Sequence, residues 1–254
     1  MSTTAARLVA LPFALAAFGL RVLDTFWVTP LTWRIGAWPP ALAAWVVTLA
    51  ASVGLPLGGY LLVTRRARRR GATWRIEPGG PGGPACFAAP PAPRWTGPWA
   101  VVMGWLAGAG LVTERVPGGD RMRFATFDRA LPISVVAVGA VVLLVAVLVV
   151  SDRPRLTLDR EAVTLRRYLS RSRVPWDDLL PGGPPLPARR DPEHLDLYRL
   201  TVGVTAPVRL PAGRLQVDSA YLAHTIRYYA EHPERRESIG TAQGQAALRS
   251  SFAG

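Results

Sequence analysis

The chain has 254 residues, half of them hydrophobic and nine of them tryptophan, and a formal net charge of +13 that arginine carries alone, with no lysine anywhere. Long Ala/Val/Leu runs point to a membrane protein, and one cysteine, Cys86, excludes an internal disulfide framework. Up to Val150 there are fourteen arginines against five acidic residues, and beyond it sixteen against twelve. The excess therefore sits beside apolar runs, where arginine orients helices in a bilayer, and no nucleic-acid partner is expected.

A spanning helix takes about 20 mostly apolar residues. Four runs in the membrane region 1–150 are read as spans, at about 8–27, 41–63, 98–113 and 131–150. The last carries no charge. The third is short, but Trp95, Trp99 and Trp105 suit interfacial anchoring. In the first, apolar residues continue beyond the small residues Ala14-Leu15-Ala16, so an uncleaved helix is expected rather than a signal peptide. Arg65, Arg66, Arg68, Arg69 and Arg70 follow the second run directly and are the topology signal: arginine-rich short loops stay inside. This predicts a multi-pass cell-membrane protein with both termini cytoplasmic. Arg115, Arg121, Arg123 and Arg129 in the last outer loop oppose that assignment mildly, so parity with the first hairpin decides it.

Two GxxxG spacings, Gly54/Gly58 and Gly104/Gly108, either mark close helix contacts or arise by chance in a chain with 24 glycines. Pro56 is expected to kink the second helix. Arg21 and Asp24 share one helical face. They are expected at the outer headgroup level near Trp27, not in an intramembrane relay. The segment Glu77 to Pro98 is expected to be an irregular cytoplasmic linker, its glycines lacking phosphate-loop spacing.

After Val150 the periodicity changes. In "RLTLDREAVTLRRYL", Leu156 and Leu158, then Val163 and Leu165, alternate with polar residues around a turn at Asp159-Arg160-Glu161. "RSRVPW" supplies a third strand with Val174 and Trp176 on one face, and Asp177 is expected to cap a helical turn over Asp178 to Leu180. Tyr198, Leu200, Val202 and Val204 alternate next, and Val208 and Leu210 form a short strand between prolines. Asp218 then caps an amphipathic helix with Val217 and Leu222 as its staple. Leu222, Ile226 and Tyr229 form its apolar stripe, and Pro233 ends it. The polar remainder predicts a flexible tail over 241–254.

"RPRLTLDREAVTLRR", "RVPWDDL" and "VDSAYLAHTIRYYAEHPERRESIG" resemble the bacterial PH-like domains of small actinobacterial membrane proteins. The resemblance covers about 153–240, and the preceding spans suit the same arrangement. It implies a cytoplasmic PH-like domain over 151–240: a bent antiparallel sheet plugged by the closing helix, with Trp176 meeting Leu222, Ile226 and Tyr229. Phosphoinositide-binding PH domains carry a basic first hairpin. Here that turn is net acidic, and Arg166, Arg167, Arg171 and Arg173 crowd the next hairpin instead. These four are the candidate lipid-facing residues, each contributing on the order of 1 kcal/mol near an anionic surface. They can equally form a solvated edge that discourages strand pairing between molecules.

No chemistry-bearing constellation appears. His194, His224 and His232 lack ligand spacing, and no HExxH or GxSxG occurs. The expectation is thus a non-enzymatic protein with no cofactor, no metal and no small-molecule substrate. Its partners are the lipid bilayer and a protein or anionic lipid at the inner membrane face. The alternatives are an accessory subunit of a larger membrane complex and, more remotely, a small transporter.

Overall fold

The computed structural model describes residues 2–69, 71–79, 84–117, 121–187, 192–200 and 207–253. The chain divides into two compact units, each built from two separate stretches. Met1–Arg68 joins Pro93–Ser151, and Arg69–Ala92 joins Asp152–Gly254.

The first unit is helical. α1 (Thr3–Leu8), α2 (Ala10–Leu23), a π-helical turn (Asp24–Val28) and α3 (Thr29–Trp33) form one continuous run. The widened turn directly precedes Pro30, which has no N–H to offer the turn before it. α4 (Trp38–Val63) starts on Pro39 and Pro40, where a missing N–H costs nothing. α5 (Pro93–Ala109) and α6 (Ala130–Val150) follow, joined by the hairpin β3 (Thr113–Arg115) and β4 (Met122–Phe124). Three stretches, Thr3–Trp33, Trp38–Val63 and Ala130–Val150, are long and apolar enough to cross a membrane. α5, with 17 residues, is shorter than these.

α5 is nevertheless the most enclosed helix of the unit, because small residues let its neighbours close on it. A Cβ on Gly104 would overlap the backbone of Ala14, and one on Gly97 would overlap the Tyr60 ring. The Gly104/Gly108 spacing is therefore a true helix contact, whereas Gly54 and Gly58 face open space. Polar groups join the helices at one end. The Tyr60 hydroxyl lies 3.0 Å from the Pro93 carbonyl and 3.3 Å from that of Ala6, and Arg7 donates to the Ser151 carbonyl at 3.1 Å. Hence the last turn of α1, the end of α4, the start of α5 and the end of α6 all meet there.

Arg21 and Asp24 form an ion pair, at 2.8 Å. Asp24 is only 2% exposed. The Arg21 guanidinium lies 5.2 Å from the Trp105 ring centroid, and its stem fills the notch at Gly108. Asp24 is thus buried and Arg21 half-buried, where α2 meets α5.

The second unit holds the β structure. β1 (Arg75–Glu77) and β2 (Cys86–Ala89) come from the stretch expected to be a linker. β5 (Arg155–Leu158), β6 (Ala162–Arg166) and β7 (Arg171–Pro175) come from beyond α6, and the five form one antiparallel sheet in the order β1-β2-β5-β6-β7. β8 (Leu195–Leu197) and β9 (Val208–Leu210) form a separate pair, so the described strands close no barrel. β8 buries Leu195 and Leu197, while Tyr198 and Leu200 are exposed, so the inward face is offset from the expected alternation. Val202 and Val204 lie outside the described residues.

α7 (Ser219–Glu231) seals the core. Asp218 caps it, accepting from the amides of Ala220 and Tyr221. Leu222, Ile226 and Tyr229 are fully buried, and the Trp176 and Tyr229 rings lie 6.2 Å apart. Trp176 opens a 3₁₀ turn, Trp176–Asp178, two residues ahead of the expected turn and with no side-chain cap from Asp177. The expected flexible tail is instead a helix, α8 (Ala242–Ala253), with Leu248 in the core. Gly240, at φ +83°, makes the preceding bend where a Cβ would overlap the Ala85 carbonyl, and Thr241 accepts from the Gly244 amide at 3.0 Å.

Candidate functional site

β6 and β7 run into a four-residue turn, Arg167 to Ser170, closed by the Arg167 amide on the Ser170 carbonyl at 2.7 Å. Alternation sends Val163, Leu165 and Val174 into the core and leaves Thr164, Arg166, Arg171 and Arg173 on the outer face. The four candidate arginines are all exposed, but their surroundings divide them. Arg173 pairs with Glu161. Arg167 turns back along the module and donates to the Arg209 carbonyl at 2.6 Å. Arg166 and Arg171 sit directly opposite each other and, among the described residues, have no ion-pair partner.

The row continues onto β5, where Arg155 lies opposite Arg166. Three arginines on three neighbouring strands thus share one face. Like charges placed opposite one another oppose sheet formation. Arg155 is accommodated by Asp152, at 2.7 Å, and by Glu77 of β1. Burial, and then the positive charges of Arg166 and Arg75, push its pKa below the usual arginine value. Arg155 was not a sequence candidate. The β5/β6 alternation could have found it, since residues 155, 157 and 164, 166 must share the outward face.

Beyond the arginines, Leu169 at the turn tip is completely exposed, at 101%. The turn is held from behind. Arg153 donates to the carbonyls of Arg167 at 3.2 Å and Tyr168 at 2.9 Å. A groove of about 600 Å³ runs along the outer sheet face, with Arg155, Arg166, Arg171, Thr157 and Thr164 in its wall.

Of the topology arginines, Arg65, Arg66 and Arg69 are exposed, and Arg68 donates to the Leu61 carbonyl at 2.8 Å, closing the end of α4. Arg70 lies outside the described residues. In the β3–β4 hairpin, Arg123 is neutralised by Glu114 at 2.7 Å, and this pairing holds the Glu114 carboxyl below its ordinary pKa. Arg115 lies over the Trp33 ring at 4.6 Å.

Cys86 is half-buried on β2, and burial followed by the Asp159 charge raises its thiol pKa, which leaves it a poor nucleophile. Among the described residues no group of three or more His, Cys, Asp or Glu side chains converges as a metal site. Compared with known proteins, the chain matches no family model, no curated protein and no solved structure.

Proposed function

We propose that this is a non-enzymatic, four-span membrane protein that presents a PH-like binding module at the inner membrane face, where it engages a protein or anionic lipid. The observation that carries the topology is the pairing of β2 with β5. It builds one fold from residues on either side of α5 and α6, which supports reading Arg69–Ala92 and Asp152–Gly254 as lying on one side of the membrane. The chain between them then crosses an even number of times. α6 is long and apolar enough to be one crossing, and we read α5 as the second. At 17 residues it reaches about 26 Å, close to the hydrocarbon thickness. Its enclosure by the other helices explains why it can be less apolar than they are.

The inward orientation rests on the arginines after α4. The opposing outer-loop arginines weaken that signal less than their number suggests, since Arg123 is paired with Glu114. The PH-like assignment is supported by the β5–β6–β7 meander, the buried Trp176 and the closing α7, and it does not require a closed barrel. A module fixed to the bilayer meets surface ligands at raised local concentration, so weak contacts suffice.

Reporter fusions at Pro81, Gly118 and the C-terminus test this. The expected pattern is cytoplasmic, extracytoplasmic and cytoplasmic. A cytoplasmic Gly118, or Pro81 and the C-terminus on opposite sides, overturns the four-span reading.

A further inference from the structure

We infer that the β6–β7 turn is a docking finger for an anionic phospholipid surface, with Leu169 entering the bilayer while Arg166 and Arg171 take headgroup phosphates. This deepens the membrane-module reading above and rests on it. Three observations converge. First, Leu169 is fully exposed on a turn fixed by Arg153 and by the Arg167–Arg209 bond, so the apolar tip is presented ready-made and little ordering is lost on docking. Second, among the described residues the arginines flanking that tip have no carboxylate partner, although their neighbours Arg155 and Arg173 both have one. A solvated edge that merely repels other strands has no use for a bare leucine at its tip.

Third, the chain itself sets the distance. Arg153, which holds the turn, is three residues beyond Val150, the last residue of α6. Three extended residues reach at most about 10 Å. The backbone of Arg153, the residue that holds the turn, is therefore covalently kept within that distance of the end of α6. A guanidinium offers several fixed donors to phosphate oxygens, and an apolar side chain between two such groups suits the headgroup boundary. A free phosphate ester would satisfy the arginines but leave Leu169 in water.

The full chain, with Cys86→Ala and Leu169→Cys labelled by an environment-sensitive dye, is placed in nanodiscs of phosphatidylcholine alone or with added phosphatidylglycerol. A matched chain is labelled at Glu234→Cys, on an exposed turn of the same unit. Expected are a blue-shifted emission at 169 and quenching by acyl-chain nitroxides when phosphatidylglycerol is present, with water-like emission at 234. Arg166→Gln with Arg171→Gln should move the docked-to-free ratio about 30-fold toward free. Water-like emission at 169 in every disc overturns the inference. So does quenching that is indifferent to phosphatidylglycerol and to both arginines. An emission change caused by soluble glycerol phosphate without acyl-chain quenching also overturns it, and assigns the arginines to a free anion. Nanodiscs expose both faces, so these outcomes are independent of sidedness in the cell, and the reporter fusions fail or succeed separately.

Discussion

The two units solve the same packing problem with opposite materials. In the helical unit the closest contacts are made by the smallest residues: Gly97, Gly104 and Gly108 on α5, with Ala10, Ala17 and Ala100 in the core. In the β unit the core is filled by Trp74, Phe87, Trp176, Tyr221 and Tyr229. The solvent explains the contrast. Water expels large apolar side chains, so the β unit gains by burying aromatic area. Lipid, the solvent we propose for the helical unit, does not expel them, so helices there associate through backbone proximity and a few polar bonds, such as Trp105 to Ser52 at 2.8 Å.

The sharpest way to break this comparison is to ask whether the β unit is self-sufficient as the sequence division at residue 151 implies. It should not be. Residues 152–254 alone lack β2, whose Phe87 and Ala89 complete the core and whose backbone covers β5. That fragment should show no cooperative thermal transition by circular dichroism. Joining 69–92 to 152–254 through a flexible linker should restore one. A cooperative melt from the shorter fragment would refute the two-stretch module.

Single substitutions should then separate the two chemistries. Phe87→Ala removes a fully buried ring stacked 6.1 Å from Trp74 and should destabilise the β unit by about 3–5 kcal/mol. Gly104→Ala adds one methyl where α2 and α5 touch, and should cost the helical unit about 1–3 kcal/mol by overpacking. Unfolding midpoints in mild detergent, read from dyes in each unit, check both. Equal tolerance of Gly104→Ala and Gly54→Ala would show that the α2–α5 contact is not close.

The smallest effect concerns α8. His224 sits 3.0 Å from Ser251 and beside the Phe252 ring, and burial, then Arg227, lower its pKa, with Glu231 opposing. The folded state therefore resists protonation. Stability from neutral His224 is complete above about pH 6.5, the ordinary histidine value, and is lost as pH falls through the depressed folded value. Protease cleavage within α8 should accelerate on acidification, and His224→Gln should flatten that response. An unchanged pH profile in the variant would remove His224 as the cause.

The β5–β6–β7 meander, the Asp218 cap and the buried stripe of α7 were legible because they are local patterns: period two, period 3.6, and a capping side chain at the right place. β1 and β2 were not. They are three and four residues long within a stretch rich in Gly and Pro, and only pairing with β5, nearly 70 residues away, makes them strands. α8 escaped because one buried leucine gives no stripe, although Thr241 after Gly240 was a readable helix start. Of the candidate arginines, position alone could not tell Arg167, spent on a backbone carbonyl, from Arg166 and Arg171, which have no carboxylate partner among the described residues.

By itself the order of residues determined that this chain has lipid-compatible helices ahead of a half-buried sheet, because hydrophobic periodicity is a property of neighbours along the chain. Tertiary structure alone decided that the stretch between α4 and α5 belongs to that sheet, and that Asp24 is buried against a half-buried Arg21. It also decided which arginines face outward with no carboxylate partner among the described residues. Those outcomes depend on partners far away in sequence, whose backbone groups and charges must be satisfied once water is excluded.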